Sequence, residues 1–149
     1  QFVQGDIKNF TGSDQVDMVV TLHACDTATD YAIEKAVGWG AKVIFTVPCC
    51  QHEVNGQIQN KLLHPVLKYG LLKERLSAIL TDAIRANLLE EAGYDTQVLE
   101  FIEMEHTPKN ILIRAVRRQE KREDSGISEL TAALGVETTL QKLFRKDQE

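Results

Sequence analysis

The sequence predicts an α/β fold in which helices cover a parallel sheet that ends in an antiparallel hairpin. Asp17–Leu22 is an apolar run that breaks into polar residues and then into a helical pattern. Ala41–Val47 is apolar on both faces, as expected for a central strand of a parallel sheet. Thr96–Met104 and Asn110–Val116 read as strands joined by a short loop, so they must be antiparallel neighbours.

The composition is that of an ordinary globular domain. The chain has 149 residues, 43% of them hydrophobic and 26% charged, which is enough for a hydrophobic core. Its net charge of −5 argues against a general nucleic-acid binder. We find no apolar run long enough to span a membrane and no secretory leader, so we expect no membrane partner. The odd number of cysteines, 3, favours a reducing cytoplasm.

The N-terminal part of the chain predicts two strands and a helix. Gln1–Ile7 reads as a short strand, and Asp17–Leu22 as the next one. Thr27 or Thr29 is expected to cap the helix that follows, and Gly40 to end it in a left-handed conformation. Because the chain begins at Gln1 and enters a strand-like segment at once, we expect it to be a piece of a longer protein.

The middle of the chain predicts a loop and two helical segments. Gln51–Gly56 reads as the loop, followed by helical patterns over Gln57–Tyr69 and Leu71–Ala92. The second helix carries a wide apolar stripe at helical spacing. This stripe consists of Leu72, Leu76, Ile79, Leu80, Ala83, Ile84 and Leu88.

The end of the chain predicts two short helices. Ser128 is expected to cap the first, and Thr138–Phe144 to form the second. We therefore divide the chain into a main domain at residues 1–118, a linker at 119–127 and a helical appendage at 128–149.

The two parallel strands end in residues that carry chemistry. The first is followed by His-Ala-Cys-Asp at residues 23–26, and the second by Pro-Cys-Cys-Gln-His at residues 48–52. In open α/β sheets, ligands bind beyond the carboxyl ends of the strands. The two strand ends are therefore expected to converge on one site.

These motifs resemble one branch of the class I S-adenosylmethionine-dependent methyltransferases. Its motifs match L-H-A-C-D-T-A-T-D at residues 22–30, V-P-C-C-Q-H-E at 47–53 and H-T-P-K-N at 106–110. The branch includes a tRNA ribose methyltransferase and several poorly characterised methyltransferase-like proteins. The resemblance covers about Phe2–Arg118 and implies the C-terminal half of a Rossmann-like domain. One departure is Asp26, where the branch leads us to expect glycine.

The resemblance implies S-adenosylmethionine as the cofactor and assigns residues to it. Gly5, Asp6 and Ile7 would bind adenine, with the Asp6 carboxylate accepting from the amino group. Leu22, His23 and Ala24 would line the sulfonium. The Gly-rich turn and the ribose-binding carboxylate of the family are absent from this sequence, so we expect the chain alone to bind the cofactor weakly or not at all.

The same comparison predicts the extent of the sheet. It should contain only the fourth, fifth, seventh and sixth strands of the family's sheet, in that order. The segment Phe2–Gly5 would then lack its neighbours and lie outside it. Asp30, which opens the first helix, is interpreted as structural.

The reacting centre is assigned to His23, Cys49 and Cys50. His23 would act as the base or orient the acceptor; the alternative is a hydrogen bond to a backbone carbonyl. The residues expected to bind the acceptor are Cys25, Pro48, His52, His106, Lys109 and Asn110. If the acceptor is RNA, Lys109 would meet phosphate together with Arg114, Arg117 and Arg118; the alternative is an ordinary solvated loop.

Other functions remain open at this point. Two Cys and two His would suit zinc, but adjacent Cys49 and Cys50 in an extended chain point to opposite faces and no C-x-x-C spacing exists, so we predict no metal site. A cysteine nucleophile would define a hydrolase or another transferase; a small half-buried hydrophobe is the plainer explanation of such a cysteine. The alternative to an enzyme is a non-catalytic methyltransferase-like module that binds proteins.

Overall fold

Four strands form one mixed sheet in this protein. A computed structural model describes residues 2–11, 15–22, 24–100, 110–118 and 125–146. The strands are β1 (Met18–Leu22), β2 (Val43–Val47), β3 (Tyr94–Glu100) and β4 (Ile111–Arg117). Met104, the predicted end of the third of these strands, lies outside the described residues.

The strand order is β1-β2-β4-β3. β1 runs parallel to β2, and β4 runs antiparallel to both β2 and β3. The strand order implied by the resemblance and the antiparallel pairing predicted from the short hairpin connection are therefore confirmed. The fold is mixed α/β and compatible with a Rossmann-like arrangement.

Six helices accompany the sheet in the described residues. They are α1 (Thr27–Gly38), α2 (Glu53–Gln57), α3 (His64–Leu67), α4 (Gly70–Glu91), α5 (Ile127–Leu134) and α6 (Thr139–Lys146). Gly40 has a φ of 67°, so the predicted left-handed end of the first helix is confirmed. No helix in the described part of the chain combines the length and the apolar character needed to cross a membrane.

The strand predicted at Gln1–Ile7 is wrong for the described residues. Phe2–Asp6 is irregular, and Ile7–Asn9 forms a 3-10 turn. The Asp6 carboxylate accepts a hydrogen bond from the backbone N–H of Lys8 at 3.0 Å, which favours the turn over an extended chain. The absence of Phe2–Gly5 from the described sheet agrees with the expectation that this segment lacks strand neighbours.

The segment between β2 and α4 differs from the prediction. α2 forms where a loop was expected, and in the predicted helix over Gln57–Tyr69 only Gln57, at the end of α2, and the four residues of α3 are helical. Pro65 lies in the first turn of α3, where its missing N–H is tolerated; further inside a helix it would remove a hydrogen bond. The Asn60 side chain accepts from the backbone N–H groups of Leu62 and Leu63, which stabilises a turn instead of a helix.

The apolar stripe predicted for α4 is only partly buried. Ile84 and Leu88 belong to the core, whereas Leu72 and Ile79 are exposed. The N-terminal half of α4 borders an open cleft, which Ile79 lines and Leu72 does not. The buried face of the helix also contains the polar residues Ser77, Thr81, Asp82 and Arg85.

The last two helices pack into the same core as the sheet. Ile127, Leu134 and Leu140 cluster with Ile44 of β2 and Ile113 of β4. α5 begins at Ile127 after Gly126, which has a φ of 75°, so the predicted cap at Ser128 is wrong. The division of the chain into a main domain, a linker and an appendage stays a prediction.

Glu53 joins α2 to the start of α6. Its carboxylate accepts from the backbone N–H of Thr139 at 2.8 Å and from the Thr139 hydroxyl at 2.9 Å. The first N–H groups of a helix have no partner within the helix, so this carboxylate satisfies one of them.

We predict that Glu53→Ala lowers the free energy of unfolding by about 1 to 2 kcal/mol, because a charge-assisted hydrogen bond and a helix cap are lost. Urea denaturation measures the change. Gln59→Ala, an exposed position in the same segment, is the control and should shift stability by less than about 0.5 kcal/mol. Equal effects of the two substitutions would contradict the capping role.

Candidate functional site

The carboxyl ends of β1 and β2 lie side by side. Leu22 pairs with Val47 at the end of the two strands, and the Thr21 hydroxyl donates to that of Thr46 at 2.8 Å. Beyond these pairs, the Sγ atoms of Cys25 and Cys49 are 3.2 Å apart. The two strand ends therefore converge, as the parallel arrangement predicts.

All three cysteines meet at this edge. The Sγ atoms of Cys25, Cys49 and Cys50 lie within 4.8 Å of one another. The expectation that Cys49 and Cys50 point to opposite faces is therefore wrong. Both residues lie beyond the end of β2, in the irregular segment before α2, where the alternation of an extended strand does not apply.

Asp26 ties the two strand ends together. Its backbone N–H donates to the Cys50 carbonyl at 3.0 Å. Its carboxylate accepts from the backbone N–H groups of His52 at 2.9 Å and Glu53 at 3.3 Å. These contacts fix the β2–α2 segment against the β1–α1 turn.

The backbone conformation at Asp26 is one that glycine adopts more readily than aspartate. Its φ of 51° and ψ of −121° belong to a region that side chains other than glycine rarely adopt. The Ala28 N–H donates to the Cys25 carbonyl and closes the turn. Asp26 also precedes α1, where no side chain caps the helix; the predicted cap at Thr27 or Thr29 is wrong, and the Thr29 hydroxyl instead donates to the Ala24 carbonyl.

A buried arginine in α4 contacts the turn after β1 and the first helix. Arg85 of α4 is 1% exposed, and its Nε donates to Asp30 of α1 at 2.7 Å. Its Nη1 donates to Asp82 at 3.2 Å and its Nη2 to the Asp26 carbonyl at 2.8 Å. One guanidinium thus connects α4, α1 and the strained turn.

Sequence analysis missed Arg85 and Asp82. The available signal was the polar series Ser77, Thr81 and Arg85, which recurs every four residues on one face of α4. Such a series beside an apolar stripe indicates a buried polar contact. Asp30 was interpreted as structural, and the structure places it in this ion pair.

Burial raises the pKa of Asp30 to about 6, although Arg85 beside it acts in the opposite direction. The nearby charges of Glu53 and Asp26 raise it further. The Asp30 carboxylate is therefore a costly buried charge that the guanidinium only partly stabilises.

The thiol of Cys49 is held in its protonated form. Partial burial, followed by hydrogen bonds with the Cys25 and Cys50 thiols, raises the pKa of Cys49 to about 12. Since the thiolate is the reactive form of cysteine, this environment disfavours Cys49 as an activated nucleophile. The assignment of Cys49 and Cys50 to the reacting centre of a methyl transfer stays a prediction.

A cleft of about 410 Å³ lies between α4 and the ends of β2, β3 and β4. It brings together Pro48 and Asn110, two of the residues expected to bind the acceptor. Gln51 was not predicted. Its side chain is 7% exposed and donates to both Asp82 oxygens, and its Oε1 has no hydrogen-bond partner among the described residues.

A second, shallow groove of about 740 Å³ lies at the N-terminal segment. Gly5, Asp6 and Ile7 line it, and their assignment to the cofactor stays a prediction. Phe10 and Trp39 complete its wall, with their rings 5.8 Å apart in an edge-to-face arrangement. These two aromatic residues were not predicted from the sequence.

Several predicted site residues lie apart from these two cavities, and others lie outside the described residues. Leu22 is exposed at the end of β1, and Ala24 is half-buried; neither lines the groove among the described residues. His52 is exposed, and its backbone N–H bonds Asp26. His23, His106 and Lys109 lie outside the described residues.

The comparisons with known proteins support a methyltransferase domain. A family model described as "Methyltransferase domain" matches residues 1–57. This segment contains the groove residues Gly5–Ile7 and both strand ends, so the match supports a transferase in general.

Curated relatives are proteins named "Glutathione S-transferase C-terminal domain-containing protein". Those of Homo sapiens and Bos taurus are 30% identical over 144 residues, and that of Mus musculus is 31% identical over 144 residues. Each alignment covers 77% of this chain and 22% of the relative, so the chain spans about a fifth of the length of these proteins. No solved structure matches the chain.

We predict that Arg85→Ala lowers the free energy of unfolding by about 3 to 5 kcal/mol, because Asp30 and Asp82 are left as buried carboxylates without their cation. Chemical denaturation measures the loss. Arg75→Ala, at an exposed position on the same helix, is the matched control and should change stability by less than about 0.5 kcal/mol. Similar losses in the two variants would show that the buried network contributes little.

We also predict that stability falls as the pH rises from about 4 to about 6. The folded pKa of Asp30, about 6, lies above its usual value of 3.8, so in this window the folded protein holds a proton that the unfolded chain has released. Urea unfolding of the wild type and Asp30→Asn across this range isolates the contribution. The wild type should lose stability relative to the variant as the pH rises; a constant or growing advantage of the wild type would contradict the raised pKa.

Proposed function

We propose that this chain forms part of an S-adenosylmethionine-dependent methyltransferase and supplies its acceptor side. The observation that carries the proposal is the methyltransferase-domain match over residues 1–57, which contains the groove at Gly5–Ile7 and both convergent strand ends. Ligands of open α/β sheets bind at such strand ends.

The residues present suit the adenosine end of the cofactor. The groove of about 740 Å³ falls in the size range of small-molecule pockets. Asp6 provides a carboxylate that accepts from an amino group, and Phe10 and Trp39 provide aromatic surface for a planar base. When bound, S-adenosylmethionine supplies a methyl group on a positively charged sulfur.

The chain's own contribution to the reaction is positioning and proton removal. In direct in-line transfer the protein holds donor and acceptor in line, which lowers the entropic part of the barrier. We assign His23 as the base or the orienting group for the acceptor. The Asp26 carboxylate binds the segment after β2, and Arg85 binds the Asp26 carbonyl. These contacts fix the positions of the residues after β1 relative to those after β2.

The cleft beside α4 is our candidate for the acceptor. Pro48, Gln51 and Asn110 line it, and the buried Gln51 Oε1 accepts no hydrogen bond within the described part of the chain. The glutamine amide is held in place by two hydrogen bonds to Asp82 at 3.0 and 3.3 Å.

RNA is the acceptor class that the resemblance to the tRNA ribose methyltransferase branch favours. The described basic residues of this prediction give little support to an RNA acceptor, because each already has a partner. Arg114 bonds Gln97 at 2.9 Å, Arg117 bonds the Gly40 carbonyl at 2.9 Å, and Arg118 pairs with Asp95 at 2.6 Å. A phosphate would have to compete with these partners.

A non-catalytic protein-binding module is the alternative, and one observation favours it. β1 is at the edge of the described sheet, and its residues Met18, Val20 and Leu22 are exposed. An exposed apolar edge strand is a surface on which another chain can pair.

Calorimetry of the full-length protein that contains this chain, titrated with S-adenosylmethionine, tests the proposal. We expect binding, and we expect Asp6→Ala to weaken it by about 10-fold or more because a hydrogen bond to a charged group is lost. Asp17→Ala is the matched control, since this exposed carboxylate pairs only with Lys42 at the surface, and it should leave the affinity unchanged.

Absence of binding by the folded full-length protein would overturn the enzyme and favour the protein-binding module. If the cofactor binds, transfer of its labelled methyl group in a cell extract distinguishes the acceptor classes. Label in the RNA fraction supports an RNA acceptor, and label confined to protein excludes RNA as the acceptor.

A further inference from the structure

The three thiols come from two separate segments and are gathered into one cluster. Cys25 lies in the β1–α1 turn, and Cys49 and Cys50 lie in the segment after β2. Their Sγ atoms are within 4.8 Å of one another, and those of Cys25 and Cys49 are 3.2 Å apart, within hydrogen-bond distance for sulfur. The sequence contains 3 cysteines, so this cluster accounts for every thiol of the chain.

The spacing suits a thiolate-bound metal ion. With Zn–S bonds of about 2.3 Å and tetrahedral angles, bound sulfur atoms lie about 3.8 Å apart. The separations in the cluster, from 3.2 Å to at most 4.8 Å, bracket this value.

The surrounding backbone contacts hold the ligand-bearing segments together. The Asp26 N–H bonds the Cys50 carbonyl, and the Asp26 carboxylate binds the N–H groups of His52 and Glu53. Such outer contacts orient the ligands of metal sites, and their loss commonly weakens metal binding by about 10- to 100-fold.

We propose that Cys25, Cys49 and Cys50 bind one soft divalent cation of the zinc class through three thiolates. Three thiols give up three protons and form three metal–sulfur bonds, so the cation's two positive charges become a complex of one negative charge. Cys25 is exposed, which leaves the fourth coordination position open to water or to a ligand from solution. This proposal revises the expectation of no metal site, and it does not depend on methyl transfer.

Titration of the reduced protein with Cd²⁺ tests the site by its thiolate-to-metal charge-transfer absorption in the ultraviolet. We expect saturation at one ion per chain. We expect each of Cys25→Ser, Cys49→Ser and Cys50→Ser to weaken binding by at least about 10-fold, since loss of a ligand should cost no less than loss of an outer contact. His64→Asn, a substitution in α3, is the control and should bind as the wild type does.

Protection of the thiols gives a second readout on the unaltered protein. Zn²⁺ should shield all three cysteines from iodoacetamide, as counted by mass spectrometry, and should raise the melting temperature because it binds the folded state. Three free thiols with no charge-transfer band would overturn the site. So would binding that survives the Cys50→Ser substitution unchanged, or a band that persists when all three cysteines are replaced. Neither readout depends on S-adenosylmethionine, so the metal site and the proposed enzyme can fail separately.

Discussion

One buried guanidinium carries much of the organisation of this protein. Arg85 lies in the middle of α4 at 1% exposure and binds Asp30 of α1, Asp82 of its own helix and the carbonyl of Asp26. A buried charge is costly unless it is paired and fully hydrogen-bonded. The three contacts come from α1, α4 and the turn after β1, so these parts must keep their relative positions for the charge to remain satisfied.

The geometry of the candidate site depends on this anchor. Arg85 donates to the carbonyl of Asp26. Asp26 in turn binds the segment after β2 through its backbone N–H and its carboxylate. A residue with a φ of 51° is strained unless its surroundings stabilise it, and here its contacts do so on both sides. As a result, two strand ends, three thiols and the residues Pro48 and Gln51 of the cleft beside α4 lie at one edge of the sheet.

Local patterns predicted the strands and their antiparallel hairpin, and the order of the strands in the sheet was implied by the resemblance. A strand apolar on both faces must be central, and two strands with a short connection must pair antiparallel. The groove at Gly5–Ile7 was predicted through resemblance. The two short C-terminal helices were also predicted, but α2 and α3 were not, because side-chain contacts such as the Asn60 turn decide which part of that segment is helical. The convergence of Cys25 with the segment after β2 was predicted, but the shared orientation of Cys49 and Cys50 was not, because the irregular backbone after β2 sets their directions.

The proposal central to this account is that the cofactor contacts the N-terminal groove and the residues that follow β1. Amide chemical shifts of the isotopically labelled full-length protein, titrated with the demethylated cofactor product, test it most directly. The account predicts saturable changes at Gly5, Ile7, Ala24 and Cys25, with α5 and α6 unaffected. Changes confined to α5 and α6, or none at all at saturating ligand, would contradict it.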